Sequence, residues 1–412
     1  MNKMTYKEKS KILSEHFNLL DEIIEIPGSE IEIRNIKFSS DSWKLLPGAN
    51  EYYCEKHNLK FTESNNFRDE ITFQQYPEFL KHDDINIQEN NEFVYTIFRK
   101  VNDKKADSVI FLFHGLNEKH WNKYLLWAEK LVEETGKTVI LFPIAYHMNR
   151  SPQEWSNSRL MNNVKNLRRQ HSPSITNSTF ANAAISARIQ MIPQRFFWSG
   201  LQTFYDVVKL VQQIRANENY LVEANASIDF FSYSIGSFLG EILMMTNPKD
   251  LFKDSRLFMF CGGPTLDRMS PNSKFILDSD ATIAIYSFYT ERLESELKMD
   301  KRIAHYFNGD HKSGSYFRSM LSYKKLKELR EKRFNELSDR IYAVALKNDE
   351  VIPSNEVVNT LKGDYRDIPV QVDILDFPYD YSHINLFPDD QDAVLVDKAF
   401  NKVFGTATEF LK

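Results

Sequence analysis

The stretch Ile228-Asp229-Phe230-Phe231-Ser232-Tyr233-Ser234-Ile235-Gly236-Ser237-Phe238-Leu239-Gly240 is apolar up to a serine flanked by small residues and then resumes with helix-forming residues. It reads as a strand, a sharp turn and a helix, with Ser234 at the tip of the turn. A serine hydroxyl is a weak nucleophile unless it is held exposed beside a base and backbone N–H donors. Small side chains at positions 232 and 236 let two backbone segments pass close enough to make such a turn. Ser232 stands where the pattern G-x-S-x-G has its first glycine.

Three further segments fall in an order that suits this turn. Ser108-Val109-Ile110-Phe111-Leu112-Phe113 is a continuous apolar run that ends in His114-Gly115-Leu116-Asn117, as a buried parallel strand followed by a tight loop would. Downstream, Arg340-Ile341-Tyr342-Ala343-Val344-Ala345-Leu346 predicts a buried strand whose end carries Asp349. Val370-Gln371-Val372-Asp373-Ile374-Leu375 predicts one more, followed by a loop with His383 and a final amphipathic helix around Gln391 to Phe404. Catalytic groups of open α/β sheets gather at the carboxyl ends of strands.

Taken together, His114-Gly115-Leu116, Ser232-Tyr233-Ser234-Ile235-Gly236, Asn348-Asp349-Glu350-Val351-Ile352-Pro353 and Ser382-His383 resemble the α/β-hydrolase superfamily from about Glu92 to the C-terminus. The resemblance implies an α/β fold with a mostly parallel central sheet flanked by helices. It also implies a serine hydrolase with Ser234 as nucleophile, Asp349 as acid and His383 as base, and an oxyanion hole from the N–H groups of Leu116 and Ile235. Pro143-Ile144-Ala145-Tyr146-His147-Met148-Asn149-Arg150 and Pro193-Gln194-Arg195-Phe196-Phe197-Trp198-Ser199-Gly200 suggest a closer likeness to bacterial hydrolase-like proteins of unknown function, which adds no substrate.

Each of these residues also has a plainer reading. Ser234 and Asp349 would serve as helix N-caps, Glu350 and Asp376 compete for the acid, and His147 and His311 compete for the base. His114 reads as a support for its loop. Tyr233, His147 and Arg150 stand as candidate substrate contacts. Arg150 belongs to a group with Arg159, Arg168, Arg169, Arg188 and Arg195, for most of which surface salt bridges are expected, while Arg150 itself is placed to clamp an anionic substrate.

The 412 residues exceed one ordinary domain of about 100 to 200. The expected division is an N-terminal extension over 1–91 and a catalytic core over 92–264 and 340–412. A pocket-shaping insertion is expected at about 143–193 and a helical lid over 265–339. Helix is expected near Lys7 to Glu25. The aromatics of the lid, such as Phe275, Phe288, Tyr289 and Phe317, read first as its own packing and second as a pocket for an apolar acyl group.

A net charge of −5 offers no basic face for nucleic acid. No run approaches the ~18 apolar residues of a membrane span, and no apolar leader follows Met1 to Lys11, so a cytoplasmic location is expected. The two cysteines, Cys54 and Cys261, are too few for a disulfide framework. No H-E-x-x-H, C-x-x-C or glycine-rich phosphate loop occurs, so no metal or cofactor is expected, and the partner foreseen is a small-molecule acyl substrate. The oligomeric state is not legible.

Overall fold

The protein is described by a computed structural model covering residues 4–62, 74–101 and 104–412. Residues 1–3 of the leader reading and 63–73 of the expected extension lie outside the described residues. The strands, in chain order, are β1 (Ile23–Glu25), β2 (Ile31–Ser39), β3 (Glu51–Cys54), β4 (Leu59–Thr62), β5 (Glu92–Lys100), β6 (Ala106–Phe113), β7 (Thr138–Leu141), β8 (Val222–Tyr233), β9 (Leu257–Phe260), β10 (Ile341–Leu346) and β11 (Gln371–Leu375). Nine of them form one sheet in the order β1-β2-β5-β7-β6-β8-β9-β10-β11, and β3 and β4 form a separate hairpin.

From β7 to β11 every pairing is parallel, and β1, β2 and β5 add antiparallel strands at one side. The continuous apolar runs follow from this arrangement, because alternate side chains enter two different cores. Val109, Phe111 and Phe113 of β6 join one cluster, with helices Arg195–Arg215 and Ile235–Thr246. Ile110 and Leu112 join the other, with helices Asn122–Thr135 and Ala393–Leu411. The same alternation holds in β10, where Ile341, Ala343 and Ala345 face the first core and Tyr342, Val344 and Leu346 the second.

The boundary expected at residue 91 does not separate the sheet. β2 pairs with β5 along nine residues, from Ile31 opposite Lys100 to Ser39 opposite Glu92, so the N-terminal segment supplies two of the nine strands. Its helix, Tyr6–His16, starts at a capping box in which the Thr5 side chain accepts from Glu8 N and the Glu8 carboxylate accepts from Thr5 N. Beyond His16 the chain turns extended at Phe17 instead of continuing to Glu25.

Between β7 and β8 the chain forms helices Ser158–His171 and Ala183–Met191 before the long helix Arg195–Arg215. The segment over 265–339 contains the helices Ser279–Tyr286, Leu293–Met299, Lys301–Phe307, Lys312–Ser319 and Lys327–Glu336. Among the described residues no helix is long and apolar enough to cross a membrane.

Arg159 and Arg169 are exposed, but the other arginines of this group depart from the expected surface role. Arg168 pairs with Asp278, and Arg188 and Arg195 both pair with Asp84, all of them buried. Arg150 is also buried and fully engaged, which corrects its reading as a substrate clamp. Its Nε donates to Asn90 Oδ1 at 3.1 Å and Nη1 to the Pro143 carbonyl at 3.1 Å. Its Nη2 donates to the Asn90 carbonyl at 3.0 Å and to Asp206 Oδ2 at 2.8 Å. The guanidinium also lies 3.9 Å from the Phe93 ring centroid. Arg150 therefore fastens the residues after β7 to the N-terminal segment and to helix Arg195–Arg215. Arg150→Met leaves Asp206 buried without its cation, and we expect a loss of about 3 to 5 kcal/mol. Urea denaturation measures it, and an unchanged midpoint would refute the latch.

Candidate active site

Ser234 lies between the end of β8 and helix Ile235–Thr246 with φ 55° and ψ −124°, a conformation that costs a non-glycine residue of order 1–3 kcal/mol. Close packing on both sides maintains it. A Cβ on Gly236 would come within 2.8 Å of the Phe113 and His114 carbonyl oxygens, so the helix start meets the end of β6 backbone to backbone. Ser232, in the usual glycine position, is accommodated because its hydroxyl donates to the Phe258 carbonyl at 3.2 Å and lies 3.1 Å from Ser237 Oγ. The Ser234 N–H donates to the Phe260 carbonyl at 3.2 Å, extending the β8–β9 ladder through the turn.

Three residues that are remote in sequence converge here. His383 Nε2 lies 2.8 Å from Ser234 Oγ, and His383 Nδ1 lies 2.8 Å from Asp349 Oδ2. The other Asp349 oxygen, Oδ1, accepts the N–H groups of Val351 and Ile352, each at 2.9 Å. The capping geometry and the carboxylate–imidazole pair thus coexist in one side chain. With Asp349 accepting at Nδ1–H, Nε2 is left to accept the Ser234 proton. The rival acids are elsewhere: Asp376 bonds Lys347 and Asn348, and Glu350 is exposed.

Tyr233, expected to touch substrate, is instead buried behind the histidine. Its ring stacks on His383 at 5.2 Å between centroids and its hydroxyl donates to the His383 carbonyl, which makes it a positioning residue. Gly115 permits this packing, since a Cβ there would lie 3.0 Å from the Tyr233 ring. His114 has its expected supporting role: its Nδ1 donates to the Gly115 carbonyl at 2.8 Å and its Nε2 accepts from Ile144 N at 2.9 Å. Burial pushes its pKa well below the ordinary 6.5.

Leu116 and Ile235 border one cavity, and among the described residues neither backbone N–H has an acceptor. The walls are mostly apolar: Phe196, Phe197, Leu201 and Phe204 from helix Arg195–Arg215, Phe238, Leu239 and Ile242 from the elbow helix, and Phe317 from the helical segment over 265–339. Of the aromatics expected in a lid, Phe288 and Tyr289 are core residues, as the packing reading has them, whereas Phe275 is exposed and fits neither reading. A second cavity shares Leu116 and His147 and has a more polar border that includes Glu118, Lys119, Arg188 and Arg195.

His147 is buried and neutral, its pKa pushed down to about 4 chiefly by loss of solvent. Its Nδ1 donates to the Ala145 carbonyl at 2.9 Å, and its Nε2 has no partner among the described residues. His147 therefore keeps an unpartnered buried nitrogen beside both cavities, while the place next to Ser234 Oγ is taken by His383. His311, the other rival, lies in a different cluster with Cys54, His57 and His305.

The sequence profile of a family of unknown function, DUF6051, matches residues 4–412. The chain belongs to this family. No curated protein matches the sequence. Solved structures similar to this DUF6051 chain include carboxyl esterase 2 from the mycorrhizal fungus Tuber melanosporum, at 12% identity and a TM-score of 0.43, covering 98% of this chain and 96% of that one. A thermostable esterase from Pseudomonas putida is similar at 10% identity and a TM-score of 0.46, covering 99% and 91%. An arylesterase follows at 12% identity and 0.41, covering 79% and 83%.

One further group in the elbow helix has no counterpart in the sequence reading. Glu241 is buried, and neither of its carboxylate oxygens has a partner among the described residues. Burial raises its pKa well above the ordinary 4.5, so the folded protein holds a proton there that the unfolded chain releases. The unfolded state then binds fewer protons above about pH 4.5, and this group lowers stability as pH rises from there towards its folded value. Glu241→Gln removes the titration. Its urea midpoint should decline less than that of the parent between about pH 5 and about pH 8. Parallel declines would show that Glu241 ionises in the fold as readily as in water.

Proposed function

We propose that this protein is a serine hydrolase of the α/β-hydrolase type, which cleaves an ester carbonyl through an acyl-enzyme. The observation that carries the reading is the pair of 2.8 Å contacts, Ser234 Oγ to His383 Nε2 and His383 Nδ1 to Asp349 Oδ2, on a serine held at φ 55°. The chain order Ser, Asp, His and the strand–serine–helix turn agree with that architecture.

In the proposed mechanism Ser234 Oγ attacks the carbonyl carbon as its proton passes to His383 Nε2. Asp349 holds the imidazole in the Nδ1–H tautomer and stabilises the imidazolium that forms. The developing oxyanion is taken up by the N–H groups of Leu116 and Ile235, each worth about 3 kcal/mol in comparable sites. The tetrahedral intermediate collapses, and His383 returns the proton to the leaving alcohol. Water, deprotonated by the same histidine, then attacks the acyl-enzyme and frees Ser234.

The phenylalanine-rich cavity beside Ile235 suits an apolar acyl group. A thioesterase, peptidase or acyltransferase would use the same triad. One observation favours a second reading. Ser234 and His383 are each 5% exposed and Asp349 4%, which is what a hydrolase-like binding protein with a covered elbow would also have.

Intact mass after treatment with a small fluorophosphonate separates the two. The hydrolase reading expects one adduct on the parent, none on Ser234→Ala, and a fall in ester turnover of about 10⁴-fold or more in that variant with the fold retained. A folded parent that takes no adduct would support the binding protein instead.

A further inference from the structure

The hairpin β3–β4 stands apart from the main sheet, with strands of four residues each and little burial along β4. A lone two-stranded hairpin is marginal in water. At its turn sit Cys54 and His57, and against them lie His305, from helix Lys301–Phe307, and His311, which directly precedes helix Lys312–Ser319. We propose that these four side chains form a tetrahedral zinc site that fastens the hairpin to the helical segment bordering the apolar cavity.

Four of the six separations between the ligand atoms are those of a coordination shell. Four ligands around zinc, with Zn–N near 2.0–2.1 Å and Zn–S near 2.3 Å, lie about 3.3 Å apart for nitrogen pairs and about 3.6 Å for nitrogen–sulfur pairs. Here His57 Nδ1 and His305 Nε2 are 3.2 Å apart, as are His305 Nε2 and His311 Nε2. Cys54 Sγ is 3.5 Å from His57 Nδ1 and 3.4 Å from His311 Nε2. All four ligand atoms lie within 4.8 Å of one another.

The surroundings orient the donors. His305 Nδ1 lies 3.1 Å from Asp310 Oδ2, a carboxylate that fixes Nδ1–H and leaves the Nε2 lone pair facing the other three atoms. The Tyr306 ring stacks on His311 at 4.3 Å between centroids. Cys54, His305 and His311 are buried, and a closed shell of one thiolate and three imidazoles suits a structural zinc better than a hard cation. The Cys54-x-x-His57 turn gives a short chelate loop, and His57 lies 248 positions from His305, which is why sequence motifs built on C-x-x-C or H-E-x-x-H miss the site. The metal would hold the start of the helix whose Ser313 and Phe317 border the cavity, an effect separate from the chemistry at Ser234.

The test uses the full-length chain with any histidine tag removed. Mass-spectrometric metal analysis after dialysis should find about one zinc per chain, and Cys54→Ser and His311→Ala should each retain at least about tenfold less. The parent reconstituted with Co²⁺ should show the intense visible bands of a tetrahedral site and a thiolate-to-cobalt charge-transfer band that Cys54→Ser lacks. Should either variant fail to fold, the parent's zinc content and cobalt spectrum decide alone. Less than about 0.1 zinc per chain, with only the weak bands of six-coordinate cobalt, would overturn the proposal. Fluorophosphonate labelling of Ser234 reads out the hydrolase proposal independently of either result.

Discussion

The backbone of Ser234 is the constraint on which the site depends. A residue at φ 55° and ψ −124° persists only where its surroundings leave no alternative, and here they are the strands on either side. β9 accepts the Ser234 N–H, while the end of β6 presses against Gly236 so closely that no side chain fits. Both neighbours belong to the parallel part of the sheet, whose two faces are buried under helices. The strain is therefore opposed by the whole layered core, and the Oγ is fixed by that core and not by a flexible loop.

The partners of Ser234 lie in loops after β10 and β11, and each is restrained by a local device. Asp349 follows β10 and spends one oxygen on the Val351 and Ile352 N–H groups, which fixes the direction of the other. His383 lies in the loop after β11 and is clamped from behind by Tyr233, the residue next to the serine it faces. One strand end thus orients both Ser234 and His383. Tyr124 adds a further brace, accepting the Gly115 N–H at 3.0 Å below the loop that carries Leu116.

Sequence patterning revealed the elements whose signals are local. Continuous apolar runs marked β6, β8 and β10 because each strand feeds two cores, and the serine between small residues marked the turn. Ser234, Asp349 and His383 were legible because each follows a recognisable strand. Arg150 was misread for the same reason: its position after a strand end was visible, but its acceptors, Asn90 and Asp206, lie 60 and 56 residues away. The N-terminal strands were also hidden, since β2 is defined as part of the sheet by its pairing with β5 more than by its own pattern.

The same limit explains the cluster at Cys54. A cysteine and three histidines are individually unremarkable in a chain of this length, and only the fold brings the turn of one hairpin against the residues around Asp310. Buried charges have to be paired, and around the two insertions three of the pairs are long-range: Arg168 with Asp278, and Arg188 and Arg195 with Asp84. Arg168 and Asp278 tie one insertion to the other, and the Asp84 pairs tie Arg188 and Arg195 to the N-terminal segment, beside the apolar side chains that both insertions bury. A cluster of four ligand atoms at the hairpin belongs to this pattern, because it joins two peripheral segments that share no sheet. Where strand periodicity ends, partnership between distant polar residues takes over the definition of the fold, and such partnership leaves no periodic trace in a single sequence.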